Sequence, residues 1–147
     1  MGKSIRFLES DIRPSGRIAR GVRGMRLEQE DQIVGMEAMR FGQTLFAVTE
    51  NGFGKRTSID EYPIHKRGGK GVITIKTSQR NGMVVSILEV HDDEDIMLVT
   101  DRGKIIRMPV NNISVISRNT QGVKLIGMES GERVVSAACL AEEEDAS

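Results

Sequence analysis

The sequence contains no tryptophan, one cysteine and three prolines, and aromatic residues make up only 3% of its 147 positions. The single cysteine, Cys139, cannot form an internal disulfide, which excludes a disulfide-stapled scaffold and predicts a cytoplasmic protein. No apolar run approaches the ~20 residues that a membrane-spanning helix needs, and the first ten residues lack the apolar segment of a signal peptide. We therefore expect no membrane association and about one domain, with a core of aliphatic side chains and methionine.

Acidic residues are missing from two stretches that are rich in arginine and lysine, residues 17–26 and 66–76. The formal net charge is zero, but the run at residues 142–145 supplies four of the 21 acids. The rest of the chain has 21 basic side chains against 17 acids, a formal charge of +4. This segregation of charge matters more than the net value for attracting a charged partner.

Three copies of one unit follow each other at a period of 50 to 51 residues. Arginines at positions 6, 56 and 107 fall in one register, and a glycine–valine pair follows 15 residues after each of them. The runs Ile33-Val34, Val84-Val85 and Val134-Val135 also correspond, and each is predicted to lie in a strand. Turn signals such as Asn51-Gly52 separate these runs, and no stretch has sustained helical periodicity.

Repeats of this length with four strands each indicate the blades of a β-propeller. We predict an all-β, propeller-like domain over residues 1–140. Its three four-stranded repeats, at about 2–51, 52–102 and 103–140, would form part of a ring. The acidic tail at 141–147 is predicted to be disordered. Because a partial ring exposes unpaired strand edges, self-association through open blade edges is also predicted.

Several motifs together resemble the C-terminal domain of bacterial DNA gyrase A. They are residues 20–27 (RGVRGMRL), 52–57 (GFGKRT), 61–63 (EYP), 70–76 (KGVITIK) and 118–123 (RNTQGV). The resemblance runs from Gly2 to about Leu140 and implies a six-bladed β-pinwheel whose neighbouring blades exchange strands. This chain is similar to the last three blades. The family's signature box belongs to the first blade; residues 67–71 resemble it, whereas His65 and Lys66 differ from it.

The resemblance implies a DNA-wrapping surface on the outer rim, which supports negative supercoiling by an ATP-dependent type II topoisomerase. It implies double-stranded DNA, the rest of gyrase A and gyrase B as partners, and no active site in this chain. Two alternatives stay open: the related C-terminal domain of topoisomerase IV, and a propeller-type scaffold that binds a protein. We expect no cofactor and no metal.

Basic, glycine-containing loops suit a phosphate backbone, because such contacts give affinity without sequence preference. The predicted DNA-binding residues are Arg17, Arg20, Arg23, Arg26, Lys55, Arg56, Lys66, Arg67, Lys70, Lys76, Arg118 and Lys124. The third repeat supplies only the last two residues of this list, Arg118 and Lys124, and is therefore expected to contribute least. For Arg6, Arg56 and Arg107 two interpretations stay open: they face DNA, or they pair inside a blade with acids such as Asp11 and Asp60.

Three features allow a catalytic or ligand-binding interpretation that the residues disfavour. The glycine-rich loop at 68–71 precedes Val72 and a strand, whereas a P-loop needs Ser or Thr and then a helix. The acids at 92–95 are oxygen ligands that suit a metal. The matching turn at 40–43 has none, however, which favours a solvated hairpin tip. Tyr62 stands where the other copies have isoleucine, which predicts a packing residue rather than a nucleophile.

Overall fold

The computed structural model describes residues 1–141, and the regular structure in that range consists of short strands and three single-turn 3-10 helices. The strands are β1 (Lys3–Ser4), β2 (Thr44–Thr49), β3 (Phe53–Ser58), β4 (Val72–Ile73), β5 (Val84–Val90), β6 (Asp95–Thr100), β7 (Ile105–Pro109), β8 (Val123–Lys124) and β9 (Val134–Leu140). The 3-10 helices are Glu9–Asp11, Ile59–Glu61 and Val110–Asn112. The all-β prediction is confirmed, and the predicted tail beyond Ala141 lies outside the described residues.

Three antiparallel sheets follow each other along the chain, with strand orders β1-β4, β5-β2-β3-β8 and β7-β6-β9. β2 and β6 are the central strands, as their apolar sequences predict. Each forms a hairpin with the next strand, and the first of these hairpins turns at Gly52, whose φ is +82°. The middle sheet has four strands, which come from all three predicted repeats, whereas the third sheet has three strands and the first has two.

Neighbouring repeats exchange strands in one register. β4 of the second repeat pairs with β1 of the first, with Lys3 opposite Ile73. β8 of the third repeat pairs with β3 of the second, with Phe53 opposite Lys124, which are the equivalent positions of the sequence repeat. Gly122 precedes the exchanged strand with φ +76°, and a Cβ there would lie 2.8 Å from the carbonyl oxygen of Gly54. Only glycine allows this close approach without strain.

The core lies between the second and third sheets. Its buried members come from β2, β5, β6, β9, the third 3-10 helix and the loop positions Ile113 and Ile126, and they are aliphatic except for Phe46. A smaller cluster joins Leu45, Ile59 and Tyr62. Tyr62 is 2% exposed, so it packs in the fold as the repeat register predicted.

The first repeat departs from the prediction of four strands. Ile33 and Val34 are 60% and 48% exposed and lie outside any strand. The equivalent runs in β5 and β9 are strands because they pair with β2 and β6. Within residues 1–141, the first sheet contains only β1 and β4, so the 33–34 run has no central strand to pair with.

Candidate nucleic-acid interface

The cationic stretches of the three repeats form three loops, which we call the first (residues 17–26), second (65–76) and third (117–124) basic loops. The second and third loops contain the exchanged strands β4 and β8, whereas the equivalent residues 22–23 of the first loop lie in no strand. The strand exchange therefore brings the second and third loops to the boundary with a neighbouring repeat.

Backbone and side-chain hydrogen bonds join the first basic loop to the second. The N–H of Arg26 donates to the carbonyl oxygen of Gly69 at 2.8 Å, and the N–H of Gly68 donates to that of Gly24 at 2.6 Å. The guanidinium of Arg67 donates to the carbonyl oxygen of Arg23 at 3.2 Å.

The second loop is joined to the third through equivalent positions. The N–H of Lys76 donates to the carbonyl oxygen of Thr120 at 2.8 Å, as that of Arg26 does to Gly69. Arg118 donates to the carbonyl oxygen of Ile73 at 2.9 Å, as Arg67 does to Arg23. The three loops therefore follow one another as a connected surface, with the same spacing at both junctions.

Nine of the twelve predicted DNA-binding residues are solvent-exposed on this surface. They are Arg17, Arg20, Arg23, Arg26, Lys66, Arg67, Lys70, Lys76 and Lys124. Within the described part of the chain, none of the nine lies within 4 Å of a carboxylate oxygen. Among residues 1–141, their positive charge is therefore not neutralised by an ion pair.

Cations on the β6–β7 hairpin are paired instead. Arg102 contacts Glu129 at 2.7 Å, Lys104 contacts Glu132 at 3.4 Å, and Arg107 forms an ion pair with Asp95. Glu132 is buried, and its pKa is lowered chiefly by the backbone N–H of Glu129. In the part of the chain that the structure describes, the cations of this hairpin are thus paired, whereas the nine exposed cations of the basic loops form no ion pair.

Lys55 and Arg56 correct the predicted contact set, because the structure buries both side chains. Lys55 is fully buried, and its ammonium donates to the carbonyl oxygens of Ser117 and Arg118 at 2.6 Å each. Arg56 is 6% exposed, donates to the carbonyl oxygen of Ile113 at 2.8 Å and forms an ion pair with Asp92. Neither side chain is available to an external phosphate, so the prediction that Lys55 and Arg56 contact DNA is wrong.

Arg6, Arg56 and Arg107, which share one register, bind partners within the fold. Arg6 donates to the carbonyl oxygen of Tyr62 at 3.1 Å, and Arg56 donates to the equivalent carbonyl oxygen, that of Ile113. Arg107 pairs with Asp95. All three bind within the fold, but their partners are carbonyl groups of the next repeat and the acids of the 92–95 turn rather than Asp11 or Asp60.

Arg118 is only half-exposed. Besides its bond to Ile73, its guanidinium carbon lies 5.8 Å from the centre of the Tyr62 ring. This cation–π geometry fixes the side chain between two repeats. The expectation that the third loop presents fewer free cations is therefore consistent with its geometry.

Outside the basic loops, the metal-ligating side chains and the thiol of residues 1–141 form neither a metal site nor a reactive nucleophile. Within residues 1–141, no cluster of three or more His, Cys, Asp or Glu side chains is arranged to hold a metal ion. The thiol of Cys139 donates to Glu94 at 2.9 Å, and burial raises its pKa to about 12. The reactive thiolate is therefore disfavoured at neutral pH.

Within residues 1–141, no helix combines the length and apolar character of a membrane span.

The buried position of Lys55 was not predicted from the sequence, although the repeat contained a signal. Ile5 and Ile106 occupy the equivalent positions in the other two copies. A position that is isoleucine in two repeats is expected to face the interior. The carbonyl groups of Gly69 and Thr120, which join neighbouring loops, gave no comparable signal because any residue supplies a carbonyl.

Antiparallel sheets that exchange strands between successive repeats, together with a connected row of unpaired cations, define a propeller-type domain with a basic surface. The chain belongs to the family described as "DNA gyrase C-terminal domain, beta-propeller", whose model matches residues 2–38, 43–91 and 94–141.

Full-length relatives support the same assignment. The chain is 46% identical over 144 residues to DNA gyrase A of Salmonella typhimurium, which covers 98% of this chain and 16% of the relative. It is 46% identical over 137 residues to DNA gyrase A of Ureaplasma parvum, covering 93% of this chain and 16% of the relative. The chain therefore spans about a sixth of the length of the curated relatives it matches.

Two solved structures have the same fold. A DNA gyrase A C-terminal domain superposes with a TM-score of 0.87 at 28% identity, over 95% of this chain and 47% of that domain. The C-terminal domain of a DNA topoisomerase IV superposes with a TM-score of 0.88 at 25% identity, over 95% of this chain and 44% of that domain. The chain is thus similar to about half of each solved domain.

Proposed function

We propose that this chain is a non-catalytic DNA-binding module of a cytoplasmic type II DNA topoisomerase, and that it binds the duplex backbone along the three basic loops without sequence preference. Its partners would be double-stranded DNA, the rest of gyrase A and gyrase B. In that assembly, DNA held along the loops would support negative supercoiling. The observation that carries the proposal is the row of nine exposed cations, unpaired within residues 1–141, on three loops joined in one register.

Phosphate contacts explain why the loops need charge and exposure rather than base-reading side chains. Binding to the backbone releases condensed counterions, which makes affinity fall steeply with salt. Because the phosphate backbone is the same in every duplex, such contacts carry no base-sequence preference.

Fluorescence anisotropy with a labelled linear duplex tests the proposal, with salt raised from about 50 to 200 mM. Affinity is expected to fall by orders of magnitude over this range and to be similar for duplexes of unrelated sequence. Affinity that ignores salt would contradict a phosphate-driven contact.

A protein-binding scaffold is the second candidate, and one observation favours it. The first repeat exposes large apolar side chains, including Ile18, Met36 and Phe41 at 100%, 85% and 89%. Exposed apolar patches mark surfaces that bind proteins. A scaffold would bind its partner equally well after removal of Lys66 and Lys70, whereas DNA binding would weaken. The topoisomerase IV alternative keeps the same surface and differs in the parent enzyme.

A further inference from the structure

A lysine of the second repeat lies buried beneath the third basic loop. Lys55 belongs to β3, and its ammonium donates to the carbonyl oxygens of Ser117 and Arg118 and, at 3.0 Å, to the hydroxyl of Thr120. Because an ammonium has three N–H donors, all of its hydrogen-bonding capacity is directed at one loop of the next repeat.

The second and third basic loops form this turn by different means. In the second loop, Gly68 adopts a φ of +84°, which allows a tight turn, and Gly69 follows it. The third loop has Asn119 and Thr120 at these positions, and neither has a positive φ. Its carbonyl groups converge on the ammonium of Lys55 instead, so the charge replaces the glycine turn as the feature that orders the loop.

The first repeat provides a natural comparison, because Ile5 occupies the position of Lys55. A Cβ added at Gly69 would lie 3.3 Å from the Ile5 side chain. The second loop therefore packs on an apolar side chain at the site where the third loop is held by hydrogen bonds.

The loop that Lys55 holds carries two links to the basic surface. Arg118 donates to the carbonyl oxygen of Ile73, and the carbonyl oxygen of Thr120 accepts from the N–H of Lys76. We propose that Lys55 is a positioning residue for DNA binding: it orders residues 117–120, which hold the half-exposed guanidinium of Arg118 at the basic surface. This inference rests on the proposed function.

The charge of Lys55 is sensitive to pH near neutrality. Burial lowers its pKa from 10.5 to about 8; the charge of Glu61 opposes this shift, and that of Arg118 adds to it. A neutral amine has two N–H donors and fills only two of the three hydrogen bonds.

A double-mutant cycle tests the inference through the salt dependence of DNA affinity. Lys55→Met and Arg118→Met are each expected to lower affinity about fivefold and to make the salt slope shallower by about one. The double variant should be no shallower than either single variant, because both substitutions remove the same contact. Ile5→Met, at the equivalent position, is the control and should keep the original slope. An unchanged slope for Lys55→Met, or additive effects in the double variant, would overturn the inference.

Two further measurements test the inference by readouts other than the salt slope. Affinity of the unaltered protein should fall between pH 7 and pH 9, and the fall should be absent from Lys55→Met; equal pH profiles would overturn the inference. Amide hydrogen exchange without DNA separates the inference from the proposed function. Faster exchange at residues 117–121 in Lys55→Met supports the positioning role even if DNA binding itself fails, and unchanged exchange contradicts it.

Discussion

The guanidinium of Arg67 donates a hydrogen bond to the carbonyl oxygen of Arg23 across the boundary between the first two repeats, at 3.2 Å. Arg118 makes the equivalent bond to Ile73 across the next boundary, at 2.9 Å. The same sequence register that places cations on the surface thus also fixes the distance between neighbouring loops. Arg67 and Arg118 therefore both join neighbouring repeats and carry positive charge at the surface.

Arg67 is expected to contribute to stability, whereas its exposed neighbour Lys66 is not. Arg67→Met should lower the free energy of unfolding by about 1 kcal/mol, since it removes charged hydrogen bonds to two backbone carbonyl groups. Lys66→Met removes the same charge without those bonds and should change stability by less than about 0.5 kcal/mol. Urea denaturation measures both values, and equal values would show that the Arg67 contacts are not stabilising.

Arg56 and Arg107, two of the three arginines in one register, should contribute differently to the free energy of unfolding because one is buried and the other is exposed. Arg56→Met should cost about 2 kcal/mol, because it leaves the carbonyl group of Ile113 without its buried partner. Arg107→Met, whose side chain is exposed and paired with Asp95, should cost less than about 1 kcal/mol. Denaturation midpoints of the two variants test this ranking. DNA affinity should not change in Arg56→Met, and a large loss there would return Arg56 to the contact set.

Lys55 should make stability rise with pH. Its pKa in the folded protein, about 8, lies below the value of 10.5 in an unfolded chain. Between these values the unfolded state binds more protons than the folded state, so raising the pH favours folding. Cys139 acts in the opposite direction above about pH 9, because burial raises its pKa from 9.0 to about 12.

The pH prediction is therefore a difference between two proteins that share Cys139. The free energy of unfolding of the unaltered protein, minus that of Lys55→Met, should increase from pH 7.5 to pH 9.5. Urea denaturation at several pH values supplies the comparison. A constant difference would mean that Lys55 keeps its charge throughout. Stability and DNA affinity should thus move in opposite directions with pH, which a purely structural role for Lys55 would not produce.

Open strand edges predict that two copies of the chain associate. Residues 22–23 are equivalent to β4 and β8 but lie in no strand, and residues 104–105 are equivalent to the edge that receives such a strand. Within residues 1–141, the outer edge of β7 has no partner strand. Backbone pairing between these two segments would satisfy both edges.

Light scattering from about 10 µM to 1 mM should show a mass that rises with concentration. Ile105→Lys should suppress the rise because it places a charge on the receiving edge. Val115→Lys, at a similarly exposed site away from this edge, should not. A monomeric mass throughout would exclude the pairing.

The features that the sequence predicted well are those set by local pattern and repetition. The strand type, the register of the three copies, the packing role of Tyr62 and the exposure of nine cations follow from turn residues, β-branched runs and equivalent positions. The predictions that were wrong concern residues whose structure depends on partners in another repeat. Ile33 and Val34 have strand-forming side chains but lack a central strand, and Lys55 and Arg56 are buried by loops some 60 residues away in sequence. Which face of a short strand becomes covered depends on the neighbouring repeat, and that cannot be derived from one repeat alone.

The central claim, that the basic loops form one track for a nucleic-acid backbone, is tested most directly by the slope of log affinity against log salt in two charge-matched variants. Each phosphate contact contributes about −0.9 to this slope. Removing Lys66 and Lys70 (K66Q/K70Q) should make the slope shallower by about two. Removing two cations that are paired with acids elsewhere (R102Q/R107Q) should leave it unchanged. Equal effects of the two variants would contradict the track, because affinity would then follow net charge rather than the position of the loops.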